Sequence, residues 1–205
     1  MLKQIALITL LGLSASAMAG QWQVKVGGSV LAPSQETDLL PGVNDAKASS
    51  EVNFTPSVEY FFNDNISAEL LLATPFKHDV HIAGGAKIAE LKHLPPTITA
   101  KYHFKNASRF TPYVGIGATV FVPWDEELTP DVKAALGVNK LDADVSVGVA
   151  GQIGFNFQPA DAKNWGVYAD VRYADLSTDL EVDGAHLAKF GIDPWVYTLG
   201  YSYKF

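Results

Sequence analysis

The side chains best suited to chemistry in this chain of 205 residues lie in two sets. The first is local: His78-Asp79-Val80-His81, followed by Glu90 and His93. Imidazoles beside carboxylates are ligands for zinc or a related metal. Their spacing matches no fixed metal motif, so loop hydrogen bonding is the expected role and no metal or other cofactor is expected. Ser49 and Ser50 could be combined with His78, His81, His93 or His186 as a hydrolytic site at a rim. No nucleophile motif surrounds either serine, and the chain has no cysteine, so it is not expected to be an enzyme.

The second set is dispersed: Lys25, Glu59, Glu69, Lys101, His103, Asp170, Arg172 and Lys204. Each lies in a segment where apolar and polar residues alternate, on the face opposite the large apolar side chains. The last segment shows the pattern. Trp195, Tyr197, Leu199, Tyr201, Tyr203 and Phe205 share one face, and Val196, Thr198, Gly200, Ser202 and Lys204 the other. Eight such strands are predicted: Gln21–Leu31, Glu51–Phe62, Ile66–Thr74, Leu94–Phe104, Thr111–Phe121, Ala143–Phe157, Trp165–Ser177 and Ile192–Phe205. Their connections alternate long and short. Asn63-Asp64-Asn65 is the first short turn. Thr129–Gly137, in the third long loop, reads as one helix, with Thr129 as cap, Pro130 in the first turn and Gly137 at the C-terminal end.

Residues 1–19 read as a secretory signal: Lys3, the apolar run Ile5–Leu13, then Ala17-Met18-Ala19. Residues 20–205 form the expected domain. Losing Lys3 takes the formal charge from −7 to about −8, which excludes a nucleic-acid partner. No run beyond residue 19 is long and apolar enough for a spanning helix. An exported chain with lipid-suited strand faces and alternating loop lengths is an all-β, eight-stranded antiparallel transmembrane barrel. Its termini and short turns are periplasmic, and it is monomeric in the outer membrane of a Gram-negative cell. Outer-membrane lipid and lipopolysaccharide would surround it. The strand carrying Tyr201, Tyr203 and Phe205 would be its signature for the barrel assembly machinery.

At Thr74-Pro75-Phe76-Lys77-His78, His93-Leu94-Pro95-Pro96-Thr97, Pro112–Gly117, Asp170-Val171-Arg172-Tyr173 and Asp193-Pro194-Trp195-Val196 the chain resembles the OmpW family, which includes AlkL-type proteins. The resemblance implies a narrow eight-stranded barrel for passive uptake of small hydrophobic molecules, with lateral release into the membrane.

Strand direction sorts the inward residues by height. Near the periplasm the charged set forms a floor, whose members must pair because an unpaired buried charge costs several kcal/mol. In particular, Asp170 and Arg172 sit two apart on one lumen face and are expected to pair, with Glu69 and Lys101 at similar height. Toward the outside, Leu31, Leu71, Ala73, Phe121, Ala174, Leu176 and Val196 form an apolar vestibule for small hydrophobic solutes, and their passage would be diverted sideways by the floor. The competing reading is a sealed structural barrel whose loops bind ions, lipid or host factors. The long loops are acidic, with Glu36, Asp38 and Asp45 in one and Asp125, Glu126, Glu127, Asp131 and Asp142 in another. They form a solvated face suited to bridging divalent cations to anionic lipid.

Overall fold

A computed structural model describes residues 21–34, 47–81 and 86–205. The proposed signal segment and the acidic residues Glu36, Asp38 and Asp45 lie outside the described residues.

Eight strands form the wall: β1 (Trp22–Ala32), β3 (Glu51–Phe61), β4 (Ile66–Leu71), β7 (Thr97–His103), β8 (Phe110–Leu128), β10 (Ser146–Phe157), β11 (Trp165–Asp175) and β14 (Trp195–Lys204). Each pairs antiparallel with its neighbours in the order β10-β11-β14-β1-β3-β4-β7-β8. The ladder from Ser146↔Phe121 to Phe157↔Phe110 joins β8 back to β10 and closes the barrel. Closure leaves no edge strand and satisfies the backbone without water.

Period-two alternation decides what each face meets. Outward side chains such as Val26, Ile98, Ile116, Val147 and Leu199 are exposed, and they form the apolar band that lipid requires. At the end of the short turns, aromatic rings touch in pairs: Trp22 with Tyr60 at 4.9 Å, Phe110 with Phe155 at 4.6 Å and Tyr203 with Phe205 at 5.1 Å. Tyr173 and Trp195 pair at the opposite end. The first short turn is closed by Asn63, whose Oδ1 accepts from the backbone N–H of Asn65 and of Ile66, each at 2.9 Å.

The predicted long loops are corrected. The connection after β4 folds as a hairpin, β5 (Phe76–His81) and β6 (Lys87–Leu94), with the short β2 (Lys47–Ala48) on its edge. β6 pairs with the outer half of β8, which runs seven residues past its predicted end at Phe121. A three-stranded sheet of β9 (Leu141–Ala143), β12 (Ser177–Val182) and β13 (Ala185–Gly191) occupies the third and fourth long connections. The wall strands shorten accordingly: β4 stops at Leu71, β7 starts at Thr97 and β14 starts at Trp195. Buried residues in these connections recur every second position (Phe76, His78, Val80 and Leu176, Thr178, Leu180), so they behave as half-buried strands.

The helix is α1 (Pro130–Leu136). Pro130 occupies the first turn, and Gly137 ends it at φ 69°, with its N–H donating to the carbonyl of Lys133. Thr129 stands at the N-cap without making the side-chain capping bond expected of it.

Candidate functional site

The lumen is layered. At the floor, β1, β3, β4 and β7 bring Lys25, Glu59, Glu69 and Lys101 together, all fully buried. Lys25 pairs with Glu59, and its Nζ is 3.3 Å from Glu69. Lys101 Nζ lies 3.2 Å from Glu59 and 3.3 Å from Glu69. Arg172 Nη2 reaches Glu69 at 3.2 Å and Asp170 only at 3.7 Å, so the expected Asp170–Arg172 pair is the weaker contact. The reason is direction: both project from β11 on one face, whereas Glu69 faces them across the lumen. Asp170 instead accepts from Tyr113 Oη and Gln152 Nε2, each at 3.1 Å. His103 lies 2.9 Å from Glu59 and also meets Ser67.

Three cations and three carboxylates in close contact cancel formally, which is the condition for burying charge. Tyrosine faces add to the cations: Lys101 Nζ is 3.8 Å from the Tyr113 ring centre, and Lys25 is 5.1 Å from that of Tyr168. Tyr168 lies against Gly200, where any Cβ would meet the Val26 carbonyl oxygen at 2.2 Å and the Tyr168 ring at 2.8 Å. The placement of Lys204 is corrected. It is half-buried at the periplasmic mouth with its Nζ 4.4 Å from the Phe61 ring, outside the ion-pair cluster.

Above the floor lies a belt of hydroxyls that the sequence reading did not single out. Ser29 Oγ is 2.6 Å from Thr55 and 2.8 Å from Thr198, and Thr97 meets Thr119 at 2.8 Å. Small polar residues between charged and apolar positions on the inward register were the available signal.

The apolar level follows. Leu31, Leu71, Phe121, Ala174 and Leu176 are buried there, with Ala73 and Val196 half-buried at its margin. It was expected as an open vestibule, and this is corrected: only about 30 Å³ is free. Phe76, His93 and Ile192, from the outer hairpin and the β13–β14 connection, fold inward and fill it. His78 and His93 stack at 4.9 Å, and His93 continues onto Phe121 at 4.7 Å.

These imidazoles are the candidate metal ligands, and the strand period separates them from the acids. His78 and His93 face inward and are buried, while Asp79 and Glu90 pair outside with lysines, Lys87–Asp79 and Lys77–Glu90 each at 2.7 Å. Among the described residues no three potential ligands converge. His78 Nδ1 donates to the Ser49 carbonyl at 2.6 Å. Burial pushes the His78 pKa down, and lowers that of His93 to about 3. Ser49 Oγ donates to Glu51 rather than to an imidazole, so no nucleophile–base pair forms there.

Beyond this stack opens a pocket of about 590 Å³ between β5, β6, β8, α1 and the three-stranded sheet. Its lining is almost wholly aliphatic, with Leu91, Leu128, Leu141, Leu180, Val182 and Phe190 among it. None of these was singled out from sequence, although the alternation through residues 176–182 carries the signal. Asp125 and Asp142, from the predicted acidic face, make exposed pairs with Lys92 at 3.0 Å and Lys140 at 2.7 Å.

Residues 18–205 match the model of the OmpW family. Outer membrane protein W of Vibrio cholerae serotype O1 is 34% identical over 196 residues, covering 91% of this chain and 89% of that one. The crystal structure of the outer membrane protein OprG from Pseudomonas aeruginosa superposes with a TM-score of 0.78 at 28% identity, covering 92% of this chain and 97% of that one. The solid-state NMR structure of outer membrane protein AlkL in lipid bilayers shares the fold, with a TM-score of 0.68 at 22% identity and 94% of this chain and 93% of that one covered. Closed eight-stranded wall, apolar outer band and sequence kinship agree: the chain belongs to the OmpW family of outer-membrane β-barrels.

Proposed function

We propose that this barrel takes small hydrophobic molecules into the outer apolar pocket and releases them sideways into the membrane. The observation that carries the reading is the stack of layers. A pocket of about 590 Å³ with an aliphatic lining stands above a charged floor whose ions are fully buried. Each buried methylene of a solute would gain roughly 0.8 kcal/mol in that pocket. The floor repels the same solute, because passage would require separating buried ion pairs.

A side exit has a structural basis between β4 and β7. Their ladder ends at Leu71↔Thr97. Above it the chain continues as Pro95-Pro96 on the β7 side, and proline has no N–H to extend the ladder. On the other side, Leu72 and Thr74 donate back to the carbonyls of Pro56 and Phe54 on β3. Leu71, Ala73, Pro95 and Thr97 also line the small free space at the apolar level, so the gap adjoins the lumen.

The test is uptake of an apolar fluorescent probe by liposomes containing the folded protein. Leu180→Asp and Leu91→Asp put a charge into the outer pocket and should cut uptake severalfold, with Ala134→Asp, exposed on α1 and outside the lining, as the control. Leu71→Asp and Phe121→Asp probe the lower level in the same way. Parental uptake by all four folded pocket and lumen variants would mean a sealed barrel that acts through its outer surface.

A further inference from the structure

The periplasmic mouth, below the ion-pair floor, is a second concave site unrelated to the apolar pocket. It encloses about 480 Å³ between the β7–β8 turn, the β10–β11 turn and the ends of β1, β11 and β14. Lys105, Arg109, Lys163 and Lys204 line it, and no carboxylate does. That is a marked local excess in a chain of 15 basic and 22 acidic residues. None of the four is in an ion pair with a carboxylate among the described residues, unlike the outer lysines Lys77, Lys87, Lys92 and Lys140. Acids at this end stand outside the lining: Asp64 and Asp161 on turns, and the C-terminal carboxylate at Phe205. Asp64 and, from the floor above, Glu59 act electrostatically on Lys204, as does the neighbouring Lys105.

The cup also offers neutral polar groups. Gln23 is 8% exposed and lines it, and Asn156 lines it too. Their side-chain oxygens are buried without a partner and can only accept, so toward an anion these residues would act through their amide NH2 groups. Ser108 and Ser202 contribute hydroxyls. By contrast, Asn106 and Gln158 use their amide N–H groups to brace the turns, donating to the carbonyls of Phe110 and Ala162 at 2.9 Å each, so the basic residues are carried on ordered loops. Phe157 and Trp165 stand at the rim, level with the aromatic girdle where lipid headgroups lie.

We propose that this cup binds a phosphate-ester anion, the headgroup phosphate of an anionic glycerophospholipid of the inner leaflet. Several mobile ammonium groups and one guanidinium fork suit a tetrahedral oxyanion that carries more than one acceptor oxygen. The site's height gives the source, because a lipid at the barrel wall presents its phosphate at the girdle and can turn it over the rim.

The test uses the full barrel in nanodiscs of zwitterionic lipid, followed by backbone amide NMR. Added phosphatidylglycerol should shift and saturate the signals of Gln23, Ser108, Gln158 and Lys204. Soluble glycerol phosphate should shift the same set more weakly. Lys105→Gln with Arg109→Gln alters only exposed turn residues, so folding is not at risk, and it should weaken binding about tenfold or more. Val147→Thr, on the outer wall, should change nothing. If glycerol phosphate binds and phosphatidylglycerol does not, the anion site stands and its ligand is a free phosphate ester. If neither shifts the cup, or the double variant binds both as the parent does, the proposal is overturned.

Discussion

Arg172 reaches across the lumen to Glu69, its Nη2 3.2 Å from Oε2, although the carboxylate of Asp170 is two residues away on the same strand. Glu69 thereby gathers three cations, because Lys25 and Lys101 also stand 3.3 Å from its oxygens. It receives Ser57 Oγ at 2.7 Å as well. The floor is centred on this carboxylate, which ties β4 to β1, β7 and β11.

Replacing Glu69 with Ala should therefore destabilise the barrel more than replacing Arg172 with Ala. Breaking a buried charged pair typically costs about 3–5 kcal/mol, mostly from the ions left behind. Glu69→Ala leaves three cations short of a partner, whereas Arg172→Ala leaves Glu69 with two. Unfolding midpoints in detergent and urea would rank them. Lys204→Ala, at the open mouth, should move the midpoint by less than about 1 kcal/mol.

Gly200→Ala should be destabilising by roughly 1–3 kcal/mol, because the added methyl meets backbone on β1 as well as the Tyr168 ring. Gly151→Ala, at an outward position with open space, is the control. The gel temperature at which each variant loses its compact form reads the difference.

The outer stack should respond to acid. An unfolded histidine titrates near 6.5, and folded His93 near 3. The unfolded state therefore binds the proton first, so the contribution is complete above about pH 6.5 and declines as the pH falls toward 3. By pH 4 the β5–β6 hairpin should lose roughly 1–3 kcal/mol of local stability, read as faster amide exchange at Leu91 and Val80. His93→Phe should flatten most of this dependence, with His78 contributing the rest in the same direction.

Removing Phe205 should lower the yield of assembled barrel. Its backbone N–H donates to the Trp22 carbonyl at 2.9 Å, and its ring meets Tyr203, so it helps join the last strand to the first. Heat-modifiable migration of membrane-inserted protein measures the loss. Yield equal to the parent would remove the terminal aromatic from the assembly signal.

Replacing Pro95 and Pro96 together with Ala would restore two N–H donors where the β4–β7 ladder stops. If solutes leave there, uptake of the apolar probe should fall severalfold while the outer pocket still binds it. Unchanged uptake would move the exit elsewhere on the wall.

The wall was legible because one rule governs it: alternate residues meet lipid or lumen, and each strand repeats that alternation. The floor was legible for a related reason, since a charge such as Lys25 on an inward register has nowhere to go but toward Glu59. Which charges pair was not legible. The Arg172–Glu69 contact depends on side-chain reach across a closed barrel, whereas sequence gives only neighbours along a strand. The outer cap was missed because Pro75, Pro95 and the clustered charges read as loop, and they outweighed the alternation at Phe76-His78-Val80. That is also why Phe76 and His93 were not foreseen as the side chains that fill the lumen.

β8 runs from Phe110 to Leu128, carrying the barrel wall at one end and the β6 hairpin at the other, with one irregularity in the outer ladder where Asp125 takes φ 54°. This side of the outer pocket is therefore built from the same strand as the wall. The opposite side is built differently: β12 pairs with β13 along one edge and with the three residues of β9 along the other, in a sheet separate from the wall. The pocket thus joins two independent sheets, and a substitution in β12 or β13 can reshape it without touching a single ladder of the wall.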